Sequence, residues 1–369
     1  MRSLLKRRGA LFSLLLVLAL VAAACSSGDS TETTAAGGGE ETTTTTTVAP
    51  KAGEGIKVGM AFDIGGRGDQ SFNDSAAAGL EKAIADYGIE TKELEADAGG
   101  ENREENLRLL AEDGSDLLIA VGFAFAEGVT NVATDFPDAS FAIVDDASIE
   151  LPNVAGLVFA EHEGSALVGA AAALKSQTGT IGFIGGVSGF GLIEKFQAGY
   201  EFGAKQINPG IEVLVTYLSA APDFAGFNDP AKANESALGM YDEGADVIYH
   251  AAGGSGGGLF EAAKSYSEAN DRKVWAIGVD SDQYNTANPA VQEYILTSML
   301  KRVDVAVYQT ITNFIEGNRQ SGVQVFDLKA DGVGYSTSGG FVDDITDQLD
   351  ALREKIITGE LEVPTVPEG

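Results

Sequence analysis

Apolar, β-branched runs recur along the chain with helical segments between them. IKVGMAF (56–62), LLIAVGF (117–123), SFAIVDD (140–146) and VAGLVF (154–159) form one set. TIGFIGG (180–186), IEVLVTY (211–217), DVIYHAA (246–252) and KVWAIGVD (273–280) form a second. Strands that are apolar almost throughout belong to parallel sheets covered on both faces, and the intervening helices supply the covers. Ser71 to Tyr87 is such a helix, with Ala76, Leu80, Ala83, Ile84 and Tyr87 on one stripe. Ser71 is placed as its N-cap, and Asp74 in the first turn, where the helix dipole favours an anion. A third piece follows the second set: YILTSML (294–300) and the helix VDVAVYQTITNFIEG (303–317).

The two sets divide near Glu161, so the expected fold class is α/β: two doubly wound parallel-sheet lobes, with the chain crossing between them more than once. The expected boundaries are 55–160 with 285–318 for the first lobe, and 161–284 with 319–369 for the second. Ligands of such sheets bind beyond the carboxyl ends of the strands. In a two-lobed arrangement both sets of ends face the cleft, so function is sought in the turns that follow the strands.

The N-terminal stretch changes the compartment. Arg2, Lys6, Arg7 and Arg8 precede an apolar run that ends in small residues at Cys25, the single cysteine of the chain. This is the layout of a secretory signal, and the run is shorter than the ~20 apolar residues of a membrane-spanning helix. A lone cysteine there is similar to a lipobox cysteine that is acylated after cleavage, although Ala22 stands where leucine is usual; the alternative is an ordinary signal with an incidental cysteine. Residues 1–24 are read as the signal and 25–54 as a Ser/Thr/Gly tether too polar to fold. With one cysteine no internal disulfide is possible, and the domain depends on its own core. The net charge is −31, and removing the four positive charges of 1–24 takes it to about −35. Such a surface repels nucleic acid, which excludes DNA or RNA as a partner.

Catalytic equipment is sparse. Gly186, Gly189 and Gly191 do not keep dinucleotide-fingerprint spacing, and no Gly-Lys-Ser/Thr phosphate loop is present. His162 and His250 lie in different strand-end turns without a nucleophile or metal partner, and His250 is read as structural. The Arg67–Asp69 tripeptide RGD is a chance match to an adhesion motif. What stands out is a set of charged and aromatic residues at strand ends: Asp63 and Phe72, Asp145 and Asp146, Phe227, Asp280 and Asp282, and Lys301. A shared cleft explains them together.

GMAFDIGGRGDQSFNDSAAAGLEKA resembles the opening signature of the basic membrane protein family, substrate-binding lipoproteins of the purine-nucleoside-receptor type. FAIVDD, GFIGGVSGFGLIEKFQAGYEFGAK, FNDPAKANESAL, VIYHAAGGSGGG, AIGVDSDQ and ILTSMLKRVDVAV are similar to its later blocks, in order, over most of residues 56–335. The lysine common before Ser-Phe-Asn is Gln70 here. The resemblance implies a type I periplasmic-binding-protein fold, no enzymatic activity and no cofactor. It further implies a monomer that delivers nucleosides, purines foremost, to an ABC importer from outside the cytoplasm. By matching positions, Phe72 and Phe227 stack on the base, Asp63 and Asp145 meet its polar edges, and Asn73 accompanies them. Asp280 holds the ribose hydroxyls, with Gly254 and Lys301 nearby. Whether Asp145 or Asp146 faces the ligand stays open, as does a sugar or signalling metabolite as ligand; a surface nucleoside hydrolase is the alternative of another class.

Overall fold

The structure, a computed structural model, describes residues 51–368. Its first stretch alternates strand and helix: β1 (Lys57–Phe62), α1 (Phe72–Tyr87), β2 (Glu90–Glu95), α2 (Arg103–Glu112), β3 (Leu117–Val121), α3 (Ala126–Asp135), β4 (Ser140–Val144) and β5 (Val154–Phe159). The second continues with α4 (Glu161–Lys175), β6 (Thr180–Ser188), α5 (Leu192–Ile207), β7 (Glu212–Ala220), α6 (Pro230–Asp242), β8 (Val247–Ala251), α7 (Gly256–Asn270) and β9 (Trp275–Asp280). After the short α8 (Gln283–Thr286) come β10 (Ile295–Lys301), α9 (Val303–Ile315), β11 (Gly322–Phe326), β12 (Val333–Tyr335) and α10 (Thr346–Ile357).

Two six-stranded sheets result, ordered β11-β5-β4-β3-β1-β2 and β12-β10-β9-β8-β6-β7. All strand pairs are parallel except β10 with β12. The unbroken apolar runs have their reason in the layers. In β1, Val58, Met60 and Phe62 enter one core while Ala61 enters another, and in β3 Leu117, Ile119 and Val121 part from Leu118 and Ala120 in the same way. Each strand is covered by helices on both faces, so neither set of positions can be polar. β2, at the sheet edge, escapes that rule and reads ETKELE.

Helix contacts fix the lobes. α1 ends in a left-handed Gly88 (φ 69°) whose N–H bonds back to Ile84 O. In the second lobe α4 and α5 touch backbone to backbone. A Cβ at Gly199 would lie 2.1 Å from His162 O, and one at Gly203 would lie 1.8 Å from Ala166 O. Only glycine permits that approach.

The crossings differ from the expected boundaries. β10, assigned to the first lobe by sequence, pairs with β9 and β12 in the second sheet. β11, assigned to the second, pairs with β5 in the first. The chain therefore crosses after β5, after β10 and after β11. Backbone pairing decides sheet membership, and an apolar pattern does not encode the partner. α9 does lie in the first lobe against α1, where Tyr87 and Tyr308 stack at 5.8 Å with their hydroxyls 3.1 Å apart. The expected signal, Cys25 and the tether up to residue 50 lie outside the described residues; residues 51–54, expected to belong to the tether, instead pack on the first lobe, where the Gly53 N–H donates to Tyr87 O at 2.9 Å.

Candidate ligand-binding cleft

The carboxyl ends of β1, β4, β9 and β10 carry Asp63, Asp145, Asp280 and Lys301, and all four reach one cavity between the sheets. It encloses a void of about 670 Å³, counted out to its open mouth. Phe72, Asn73, Phe227 and Gly254 line the same cavity, so the structure brings together all eight residues that the sequence singled out as ligand contacts. Asp145 and Asp280 both have left-handed backbone (φ 70° and 63°). Aspartate tolerates that conformation better than most residues, and it bends the chain where each strand ends.

The loop before α1 has a cap other than the expected one. Ser71 makes no capping bond. The carboxylate of Asp69 instead accepts the N–H groups of Ser71 (2.9 Å), Asn73 (2.8 Å) and Asp74 (3.0 Å). Asp69 lies two residues upstream of the expected cap, and the tight turn brings it under the helix end, so one side chain covers several orphan donors. Ser71 is thereby free to donate from Oγ to Asp280 Oδ2 at 2.6 Å, across the cleft. Phe72, as the first helical residue, is half-buried, packing on the core with one side and lining the cavity with the other.

Lys301 is the electrostatic centre of the inner end. It is 2% exposed, and its Nζ lies 2.6 Å from Asp145 Oδ2 and 3.6 Å from Glu161 Oε1. The rings of Phe72 and Phe159, each 5.1 Å from Nζ, and of Phe196 at 5.5 Å surround it. Burial works against the ammonium, but Asp145, Glu161 and Asp280 outweigh it and hold its pKa above the ordinary lysine value. Burial likewise raises Glu161, opposed by Lys301. It pushes Asp280 up to about 6, against Lys301 and the Ser71 hydrogen bond. Asp145 Oδ1 is buried with no hydrogen-bond partner. Asp146 does not face the cavity: its Oδ1 accepts the N–H and the hydroxyl of Ser148, both at 2.8 Å. Asp282 is similarly spent on Ser336 (2.9 Å) and Ser338 (2.5 Å).

At the other end Asp63 pairs with Arg103, whose Nε donates to Oδ1 at 2.7 Å. Burial raises the Asp63 carboxyl and Arg103 opposes it. Sequence reasoning missed Arg103, which opens α2 within the charged stretch ENREEN and carries no signal separating it from a solvated helix face. It also missed the aromatic wall. Phe123 of the first lobe meets Phe190 (5.1 Å) and Phe224 (5.9 Å) of the second, and Phe190 and Phe224 stack at 5.1 Å. Phe227 lies over Gly186, where a Cβ would come within 2.5 Å of the ring. The glycine in β6 is what admits the ring.

The histidines stand outside the chemistry. His250 is fully buried and donates from Nε2 to Gln283 Oε1 at 2.9 Å; burial lowers its pKa to about 4, with Gln283 opposing. Burial and Lys195 bring His162 to about 4 as well. Both are neutral at pH 7. Gln283 Nε2 and Thr286 Oγ1 both donate to the backbone carbonyl of Gln70 (3.1 and 3.2 Å), so position 70 joins the lobes through its main chain. No three His, Cys, Asp or Glu side chains are grouped to hold a metal among the described residues.

Comparison with known proteins agrees with this architecture. Residues 56–366 match the family described as ABC transporter substrate-binding protein PnrA-like. A Listeria monocytogenes protein named CD4+ T-cell-stimulating antigen is 35% identical, covering 86% of this chain and 90% of its own. The Lactococcus lactis ABC transporter nucleoside-binding protein BmpA is 31% identical, with 84% and 89% covered. Among solved structures, an ABC transporter solute-binding protein of Aeropyrum pernix superposes with a TM-score of 0.73 at 29% identity, over 85% of this chain and 94% of that one. That solved neighbour and this chain share the type I periplasmic-binding-protein fold. The chain belongs to the PnrA-like family of ABC transporter substrate-binding proteins.

Proposed function

We propose that the chain captures nucleosides, purines foremost, in the interlobe cleft and delivers them to an ABC importer. The observation that carries this is the cavity itself: phenylalanine rings from both lobes, Phe72 and Phe227, share it with strand-end carboxylates that keep oxygens unspent. A flat base against such rings gains about 1–3 kcal/mol each. A buried carboxylate such as Asp280 suits a vicinal diol, because charge-assisted hydrogen bonds are the strong kind. Four carboxylates line the cavity, Asp63, Asp69, Asp145 and Asp280, and they disfavour a phosphate, so nucleosides should exceed nucleotides. The Lactococcus relative, named as nucleoside-binding, supports the same reading. Neither His162 nor His250 lines the cavity, which favours binding without turnover.

Calorimetric titration with inosine, guanosine, adenosine, uridine and ribose tests it. Nucleosides should bind and ribose should not, and Phe72→Ala should lose about 1–3 kcal/mol of binding with the ligand-free melting point little changed. Binding of ribose alone would overturn the proposal. The expected lipid anchor at Cys25 is part of the same proposal: Cys25→Ser should release the protein from membranes, and unchanged membrane association overturns that part.

A further inference from the structure

Arg103 and Lys301 are the two cationic side chains on the cavity wall among the described residues. Lys301 is spent on carboxylates, whereas Arg103 is not fully spent. Its side chain is 12% exposed, Nε donates to Asp63 Oδ1 at 2.7 Å, and Nη1 donates to Gly100 O at 3.2 Å. Nη2 lies 2.6 Å from the same Oδ1 but out of line, and it is buried with no hydrogen-bond partner. The ring of Phe224, from the opposite lobe, covers the guanidinium at 5.0 Å. A buried N–H without an acceptor is costly unless something else fills the place.

The neighbouring groups show what would fill it. Asp63 Oδ1 also accepts the Ile64 N–H (2.8 Å), so that oxygen is saturated, while Oδ2 takes no hydrogen bond among the described residues. Asn73 Oδ1 accepts the Asp63 N–H (3.2 Å), which leaves only its amide NH2 to offer. This end of the cavity therefore presents one carboxylate acceptor beside two donors. A 6-oxopurine presents a carbonyl acceptor beside its N1–H donor. Arginine characteristically meets that carbonyl, whereas adenine is read by an Asn or Gln that uses both amide atoms. Asn73 has no free oxygen for the second pattern.

We propose that Arg103 determines base specificity, donating from Nη2 to the 6-oxo oxygen of a purine nucleoside while Asp63 Oδ2 accepts the N1–H. An adenine in the same pose sets its amino donor against the guanidinium and its N1 lone pair against the carboxylate. The inference rests on the nucleoside reading and goes beyond it to a residue and a subclass.

The test is calorimetric titration of the full-length protein in detergent with inosine, guanosine and adenosine, comparing the unmodified chain with Arg103→Met and Arg103→Lys. Inosine and guanosine should bind the unmodified protein about tenfold or more tighter than adenosine, the discrimination of one well-placed pair. Arg103→Met should bring the three together, chiefly by weakening the oxopurines, and Arg103→Lys, which keeps a charged donor, should restore the order in part. Adenosine bound as tightly as inosine by the unmodified protein, or equal losses for all three in Arg103→Met, overturns the assignment to Arg103 and leaves the nucleoside reading standing. Binding of none of the three overturns both. Because the order in the unmodified protein is itself decisive, the test survives a variant that fails to fold.

Discussion

Ser71 Oγ and Asp280 Oδ2 are joined by a 2.6 Å hydrogen bond that spans the cleft, from the residue before α1 to the last residue of β9. Ser281 Oγ answers it, donating to the Ser71 carbonyl at 2.9 Å. The pair ties the lobes together beside the cavity, so it contributes to the closed form and has nothing to hold once the lobes part. Ser71→Ala should remove a hydrogen bond to a charged group, worth about 1.5–3 kcal/mol. The variant should be more open in small-angle scattering without ligand and should bind nucleoside several-fold more weakly. An unchanged scattering profile together with unchanged affinity would show that the bond does not report on closure.

Asp280 should also make binding depend on pH. In the folded protein its carboxyl is pushed up to about 6 by burial, against 3.8 ordinarily. Only the ionised form accepts from both ribose hydroxyls, so ribonucleoside affinity should fall as pH drops through about 6, by up to about tenfold per unit below it. Folding responds with the opposite sign. Between about 4 and 6 the native state holds a proton that the unfolded chain has released, so this group's contribution to stability grows as pH falls through that window. Asp280→Asn should flatten both trends and bring 2′-deoxynucleosides and ribonucleosides closer in affinity. A flat affinity profile from pH 8 to 5 in the unmodified protein would refute the role given to this carboxylate.

Lys301, Asp145 and Glu161 form a charge cluster that should matter more to folding than to recognition. Lys301 is 2% exposed and Glu161 1%. Removing the cation leaves Asp145 buried without a cationic partner and Glu161 with only Lys195, 3.7 Å from its Oε2, a change that typically costs about 3–5 kcal/mol. Lys301→Met should therefore lower the urea midpoint of the ligand-free protein sharply, and adding Glu161→Gln should recover part of the loss. A variant as stable as the unmodified chain would show that the buried Lys301 charge does not hold the fold.

The α/β alternation was legible because parallel strands buried on both faces must be apolar throughout, as in Leu117–Val121. Edge strands were legible in part: β7 was read from IEVLVTY, whereas β2 and β11 were not. Glu90–Glu95 is polar, and Gly322–Phe326 leaves Val323 and Val325 half exposed or more, so neither shows the signature. Strand-end residues such as Asp63 and Asp280 stood out because a turn gives them no packing reason to be there. Pairings over long separations, such as Lys301 with Asp145 at 156 residues, leave no local trace. Arg103 and Phe224 were invisible for the complementary reason: a charged helix start and a loop aromatic look the same whether they face water or a cleft.

Gly186 and Phe227 give a way to disturb the aromatic wall without touching it. Gly186 sits in β6 near its carboxyl end, and the ring of Phe227, on the loop after β7, lies against its Cα. An alanine there would place its Cβ 2.5 Å from Phe227 Cδ1 and Cε1 and 3.3 Å from the Ala252 Cα. The ring is the part that can move, because it is half-buried and borders the cavity, whereas the backbone of β8 beyond it is fixed by the sheet. Overpacking of this kind costs about 1–3 kcal/mol when it cannot relax. Here it relaxes by turning Phe227 out of its place on the cavity wall. Gly186→Ala should then lose roughly one ring's worth of stacking, about 1–3 kcal/mol of nucleoside binding, while the ligand-free melting temperature changes little. Phe227→Ala should lose a similar amount, and the double variant should lose hardly more than either alone, since both remove the same contact. Additive losses in that cycle, measured by calorimetry, would mean that Gly186 acts on the cleft by some route other than the Phe227 ring.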